Sequence, residues 1–183
     1  LSKRKLGFLE RLSFLTKPEW LSDISIGGNA TFLEATVSVA ERDVRKIRQL
    51  LELRGKNPAD YEIDERRMKD QPESIFNLYV LYENEDTGTS AGVFWNHKGE
   101  TLVAGEDANG DDYIANLVAK PHSTLNVSFS QKLWEHWKLS LKAENILNPD
   151  IEEVWQSDYI PDEAVATSRK EGVTFSIGLS GTW

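Results

Sequence analysis

The densest run of ligand-type side chains in this 183-residue chain is Asp107-x-Asn109-Gly110-Asp111-Asp112. Oxygen donors gathered round a glycine are what a calcium loop uses. An EF-hand loop, however, takes glycine at its sixth position and a bidentate glutamate at its twelfth. Here glycine is fourth and Val118 twelfth, so the run reads as a solvated acidic turn. His97, His122 and His136 stand at unrelated strand ends and turns. No two of them share a helix face at i, i+4, and no carboxylate completes a metal triad with them.

Other catalytic chemistry finds no footing either. The absence of cysteine removes disulfides, thiolate zinc sites and cysteine nucleophiles. There is no Gly-x-Ser-x-Gly elbow, Walker loop or Rossmann glycine pattern. Carboxylates are abundant, but none sits in an apolar run of the kind that tunes a catalytic acid. The chain is expected to be no enzyme and to need no cofactor or metal. A net charge of −9 and a pI near 4.9 argue against nucleic acid as a partner, which calls for a basic face. The basic residues Arg42, Arg45, Lys46 and Arg48 on a predicted helix read as a solvated face rather than a ligand contact.

The elements that would position any site are strands. The last eleven residues, from Val173 to Trp183, alternate without error. Val173, Phe175, Ile177, Leu179 and Trp183 share one face, and Thr174, Ser176, Gly178, Ser180 and Thr182 the other. An apolar row running up to a C-terminal aromatic, opposed by a small uncharged row, is the pattern selected by lipid on one side and a wet interior on the other. Period-two patterning predicts further strands at 5–15, 24–39, 75–83, 89–96, 124–131 and 137–144. Within 24–39 the apolar phase switches after Phe32, which predicts a β-bulge or a strand projecting beyond a membrane. Val44, Ile47, Leu50 and Leu51 fall at helical spacing, ended by Gly55 and Pro58, and predict a short helix in a long loop.

The connections alternate short and long. Segments 16–23, 83–88 and 132–136 are short, and 40–74, 99–123 and 148–172 are long. That rhythm belongs to an up-and-down barrel with all its long loops at one end. Mean hydropathy is −0.47 and no stretch of 18 apolar residues exists, which removes a transmembrane helix and says nothing of a barrel. Trp20, Trp134, Trp137 and Trp183 fall near the short-turn ends and Trp95 and Trp155 near the long-loop ends, as aromatic girdles would. Seven strands are an odd count, and their inward Thr, Ser, Gly and Asn are too small to fill a small barrel. They read as part of a wider wall.

Taken in order, several passages resemble the C-terminal third of a TonB-dependent outer-membrane receptor. They are Gly27-Gly28-Asn29-Ala30-Thr31, Arg66-Arg67-Met68-Lys69-Asp70-Gln71-Pro72, Asn77-Leu78-Tyr79-Val80-Leu81-Tyr82-Glu83, and Phe94-Trp95-Asn96-His97-Lys98-Gly99. Pro121 with the segment from Leu125 to Leu133 follows, then Glu144-Asn145-Ile146-Leu147-Asn148-Pro149, the most specific of the set. Asp70 stands where the family has glycine, Asn126 where it has aspartate, and Gly181 where an aromatic or aliphatic residue is common.

The resemblance covers residues 1–183 and implies an antiparallel up-and-down transmembrane β-barrel segment, about seven strands of a 22-strand barrel. The plug domain and N-terminal strands are expected to be absent, the chain lacking both an initiator Met and a signal run and so reading as a fragment. It implies a receptor in the bacterial outer membrane that takes up a scarce ligand such as a siderophore, cobalamin or a glycan. The partners implied are outer-membrane lipid and lipopolysaccharide, the barrel-assembly machinery through a signal at Phe175, Ile177, Leu179 and Trp183, and TonB through the absent N-terminal region. Ligand contacts are expected from loops 41–71, 99–122 and 148–170, with no single residue nominated. A soluble antiparallel β binding module, a porin and an autotransporter β-domain are the alternatives.

Overall fold

The computed structural model describes residues 21–105, 107–109, 112–157 and 160–182. Six strands form one open antiparallel sheet: β1 (Ile24–Phe32), β4 (Ser74–Asn84), β5 (Thr89–Lys98), β10 (His122–Lys132), β11 (Trp137–Glu144) and β14 (Thr174–Gly181). They pair in chain order, each with its sequence neighbour in the sheet, and β1 and β14 are the edges. The fold is therefore antiparallel β, as the period-two pattern requires, and the sheet is not closed into a barrel. The predicted strand at 5–15 lies outside the described residues.

Tight turns join β4 to β5 and β10 to β11. In the first, Asn84 Oδ1 accepts from Thr87 N at 2.8 Å, and Gly88 closes the turn at φ 64°. Gly88 is fixed twice over, because a Cβ there would lie 2.5 Å from Lys132 Cβ on the neighbouring strand. The other connections are long and all leave from the opposite end of the sheet.

Those long connections are structured. The first holds β2 (Thr36–Ser38) paired with β3 (Glu65–Arg67), and between them α1 (Glu41–Leu53), which buries Ile47 and Leu51 against Ile63. The helix is where its spacing predicts. The segment 24–39 is not one strand: pairing with β4 stops at Phe32, and Thr36–Ser38 pairs with β3 instead. The phase switch after Phe32 marks the end of a strand, not a bulge within one.

The other two loops differ more from expectation. β6 (Thr101–Ala104), β9 (Asn116–Ala119), β12 (Ile151–Ser157) and β13 (Ile160–Arg169) build a second sheet in the order β13-β12-β9-β6. Its buried hydrophobic residues are Leu102, Val118, Ile151 and Val154. β6 and β9, of four residues each, are too short to display a period, β12 carries Glu152 and Glu153 beside each other, and β13 sets Pro161, Asp162 and Glu163 in succession, so only their non-local pairing reveals them. The acidic run is likewise part of a hairpin, β7 (Asp107–Asn109) paired with β8 (Asp112–Ile114).

Asn145 and Asn148, from the most specific passage of the resemblance, fasten the third long connection at its root. Both adopt positive φ, 57° and 41°, a conformation asparagine tolerates better than other side chains. Asn145 Nδ2 donates to Gly172 O at 2.8 Å, Gly172 N donates to Asn148 Oδ1 at 3.0 Å, and Asn145 N donates to Asn126 Oδ1 at 2.8 Å.

Because α1 and its partners form a core apart from the main sheet, Leu51→Ala is expected to weaken amide-exchange protection across α1 by about 2–4 kcal/mol. Protection in β4, β5 and β10 should not change. Equal loss in both regions would show a single cooperative core.

Candidate functional site

Residues directly opposite one another in an antiparallel sheet share a face. The pairing registers therefore assign every residue of the six strands to one of two surfaces. The first carries Ile24, Ile26, Ala30 and Phe32 from β1, then Phe76, Leu78, Val80 and Tyr82 from β4. It continues through Ala91, Val93 and Trp95 of β5, and Leu125, Val127 and Phe129 of β10. Leu139, Leu141 and Ala143 of β11 and Phe175, Ile177 and Leu179 of β14 complete it. No Asp, Glu, Lys or Arg lies on this face. Its polar residues sit at the two margins: Ser74, His97 and Ser123 at the long-connection end, and Asn84, Thr89 and Gln131 at the short-turn end.

Among the described residues nothing packs over this surface. Phe175 and Ile177 are 78% exposed and Leu179 60%. The buried hydrophobic residues, Ile47, Leu51, Ile63, Leu102, Val118, Ile151 and Val154, all belong to the long connections. Aromatic side chains gather toward the margins. Phe32 meets Phe76 edge-on at 5.4 Å and Trp95 stacks on His97 at 5.8 Å at one end. Tyr82, Phe129, Trp137 and the exposed Trp134 lie toward the other. Trp155 departs from its predicted place, since it lies within β12 in the second sheet, and Trp20 and Trp183 lie outside the described residues.

The opposite surface is polar and concave. A cavity of about 920 Å³ at the short-turn end is lined by Ser25 of β1 and Ser180 of β14, with Glu83, Ser90, Lys132 and Lys138 between them. Side chains from both edge strands can share one cavity only if the sheet curls toward this face. Its central residues are small or neutral. Asn77 Nδ2 donates to Asn29 Oδ1 at 2.8 Å, and Asn96 Nδ2 donates to Asn77 Oδ1 at 2.6 Å, an amide ladder across three strands. Ser90 and Ser130 hydroxyls lie 2.6 Å apart. Tyr79 and Phe94 are the aromatic exceptions on this face, with ring centroids 6.4 Å apart.

The strands are also staggered. One pairing row runs Ile24, Tyr82, Ala91, Phe129, Leu141, Ile177. It meets β1 at its first residue, yet crosses β14 well short of its last, Gly181. The drift is about one residue per strand, which with a rise of about 3.3 Å and a spacing of about 4.8 Å corresponds to a tilt of about 35°.

Of the residues singled out by chemistry, His97 and His122 are closer than their sequence positions imply. They end the paired strands β5 and β10, but His97 opposes Ser123 on the apolar face while His122 opposes Lys98 on the polar one. His97 Nδ1 lies 2.9 Å from Ser123 Oγ and His122 Nδ1 3.4 Å from Lys120 O, whereas His136 stands in the short turn at the far end. Over the long connections, Arg67 binds both Glu73 and, at 2.7 Å, Glu100, and Gln156 reaches Glu100 at 3.4 Å, joining all three connections at their base. Phe175, Ile177 and Leu179 stand together on the free edge, and Trp183 lies outside the described residues. The amide ladder had no sequence signal, because Asn29, Asn77 and Asn96 become neighbours only through register.

Asn77 holds two bonds of the ladder, so Asn77→Ala is expected to lower stability by about 1–2 kcal/mol in a denaturant titration, and Asn77→Gln by a similar amount. No family model, no curated protein and no solved structure matches this chain, so its own two-faced sheet carries the functional reading.

Proposed function

We propose that this chain is a portion of the wall of a bacterial outer-membrane β-barrel, of the TonB-dependent receptor type, through which a scarce ligand is taken up. The carrying observation is the charge-free apolar face of six strands, over which no layer lies among the described residues. In water, contiguous apolar patches beyond a few hundred Å² mark surfaces made for a partner. Lipid is the partner that fits a face this broad with polar groups confined to two margins. Strands of eight to eleven residues match the length that spans a bilayer when tilted. The stagger agrees with the tilt of membrane barrels, and the concave Ser, Thr and Asn surface with a hydrophilic bore.

The receptor type rests on the resemblance. Its most specific passage has a physical role here, fastening the root of a long connection through Asn145 and Asn148. On this reading lipid and lipopolysaccharide cover the apolar face, the assembly machinery reads the terminal strand, and TonB acts through the N-terminal region. The coding sequence ahead of Leu1 tests this part: a plug with a TonB-contacting segment supports it, and a secreted passenger ends it.

The chain has no native cysteine, which makes single-cysteine labelling direct. With cysteine placed singly at positions 175 to 179 in an outer-membrane preparation, a membrane-impermeant maleimide is expected to label 176 and 178 and to spare 175, 177 and 179. Uniform labelling, together with a monomer that stays in solution without detergent, would favour a soluble binding module instead. In lipid, Ile177→Arg is expected to cost about 2–4 kcal/mol if residue 177 lies near the bilayer midplane. Ser176→Arg should change stability by about 0.5 kcal/mol or less.

A further inference from the structure

Two exposed aromatic rings are out of place on the polar face. Tyr79 and Phe94 are 38% and 39% exposed, and they oppose one another across β4 and β5. Their rings meet at 33°, closer to coplanar than to edge-on. Two glycines make the seats on which they lie. A Cβ on Gly27 would come 2.3 Å from Tyr79 Oη, and one on Gly92 would come 2.8 Å from Phe94 Cε2. The rings are thus folded down against the backbone, each covering a glycine, with one surface turned outward.

On β1, β4 and β5 the rows on either side of the rings carry no charge. The next row of this face toward the long connections is the Asn29–Asn77–Asn96 ladder, and the next on the other side holds Ser25, Leu81 and Ser128. The ladder uses one N–H each of Asn77 and Asn96 and one oxygen each of Asn29 and Asn77. A primary amide has two N–H donors and an oxygen with two lone pairs, so donors and acceptors remain to spare. The charged side chains of this face, Glu83, Lys98, Lys132, Lys138, Lys142 and Glu144, lie outside the rows formed by the rings and the ladder on β1, β4 and β5.

We infer that Tyr79 and Phe94, with the Asn29–Asn77–Asn96 ladder beside them, form a binding subsite for neutral saccharides. A pyranose has an apolar C–H face that packs on an aromatic ring and a rim of hydroxyls, each both donor and acceptor, that suits amides. The inference goes beyond the barrel reading, since it needs only that the polar face be open to water.

The test is a titration of the ¹⁵N-labelled full chain in lauryldimethylamine oxide micelles, which carry no sugar headgroup. Maltohexaose and cellohexaose are the neutral probes and hexagalacturonate the charged one. Saturable millimolar shifts of the Asn29, Asn77 and Asn96 side-chain amides are expected with at least one neutral hexaose. Tyr79→Leu and Phe94→Leu should each weaken that binding about three- to tenfold, and Lys142→Gln should leave it unchanged. If Tyr79→Leu fails to fold, Phe94→Leu and Asn96→Ala read the same contact. Absence of saturation with both neutral probes, tighter binding of hexagalacturonate, or unchanged affinity in the folded ring variants would overturn the subsite. None of these outcomes bears on the labelling pattern of the apolar face.

Discussion

The organisation of this protein depends on one constraint: six consecutive sheet strands present a charge-free apolar face that none of the described residues covers. In a soluble two-layer domain such a face would be buried, because an amphipathic sheet is stable only against another element. Here the other described elements lie elsewhere. The long connections fold into a helix and a second sheet beyond one end of the strands, and they keep their buried residues to themselves. The hydrophobic core, in the ordinary sense, lies outside the largest element. A covering solvent or partner is therefore part of the proposed native state, and lipid is the one whose dimensions match the strands.

That arrangement makes the two ends of the sheet unlike. At one end Asn84, Gly88 and the compact turn between β10 and β11 close the hairpins in a few residues. At the other, the connections are rooted by side-chain bonds rather than by turn geometry. Arg67 gathers two carboxylates, and Asn145 and Asn148 pin Gly172 from both sides. A rim with its own cores and its own fasteners holds shape independently of what lies along the strands.

Among the described residues no strand pairs with the outer side of β1 or β14, and β14 adds an exposed apolar row. Unpaired flat edges with apolar side chains are templates for further pairing. For the proposed barrel, closure by other strands removes that hazard. The curl toward the polar face fits this, since an antiparallel sheet must bend about its strand direction before its edges can meet. The small residues near the β14 edge of that side, Ser140, Ser176 and Gly178, leave room for the bend.

Much of this was legible in the sequence because the strongest signal is local. A side chain's face is set by parity along its own strand, so Val173 to Leu179, Ala91 to Trp95 and Leu139 to Ala143 declare their apolar rows unaided, and α1 declares its 3.6 spacing. What needed the tertiary structure was register. Pairing brought Asn29, Asn77 and Asn96 into one ladder, set Tyr79 beside Phe94, put His97 and His122 on opposite faces, and turned 101–104, 116–119 and 151–169 from loops into a sheet. β6 and β9 are too short to carry a period, β12 and β13 interrupt theirs with adjacent acidic residues, and residues dozens of positions apart acquire a shared surface only when hydrogen-bonded neighbours fix which of them lie opposite.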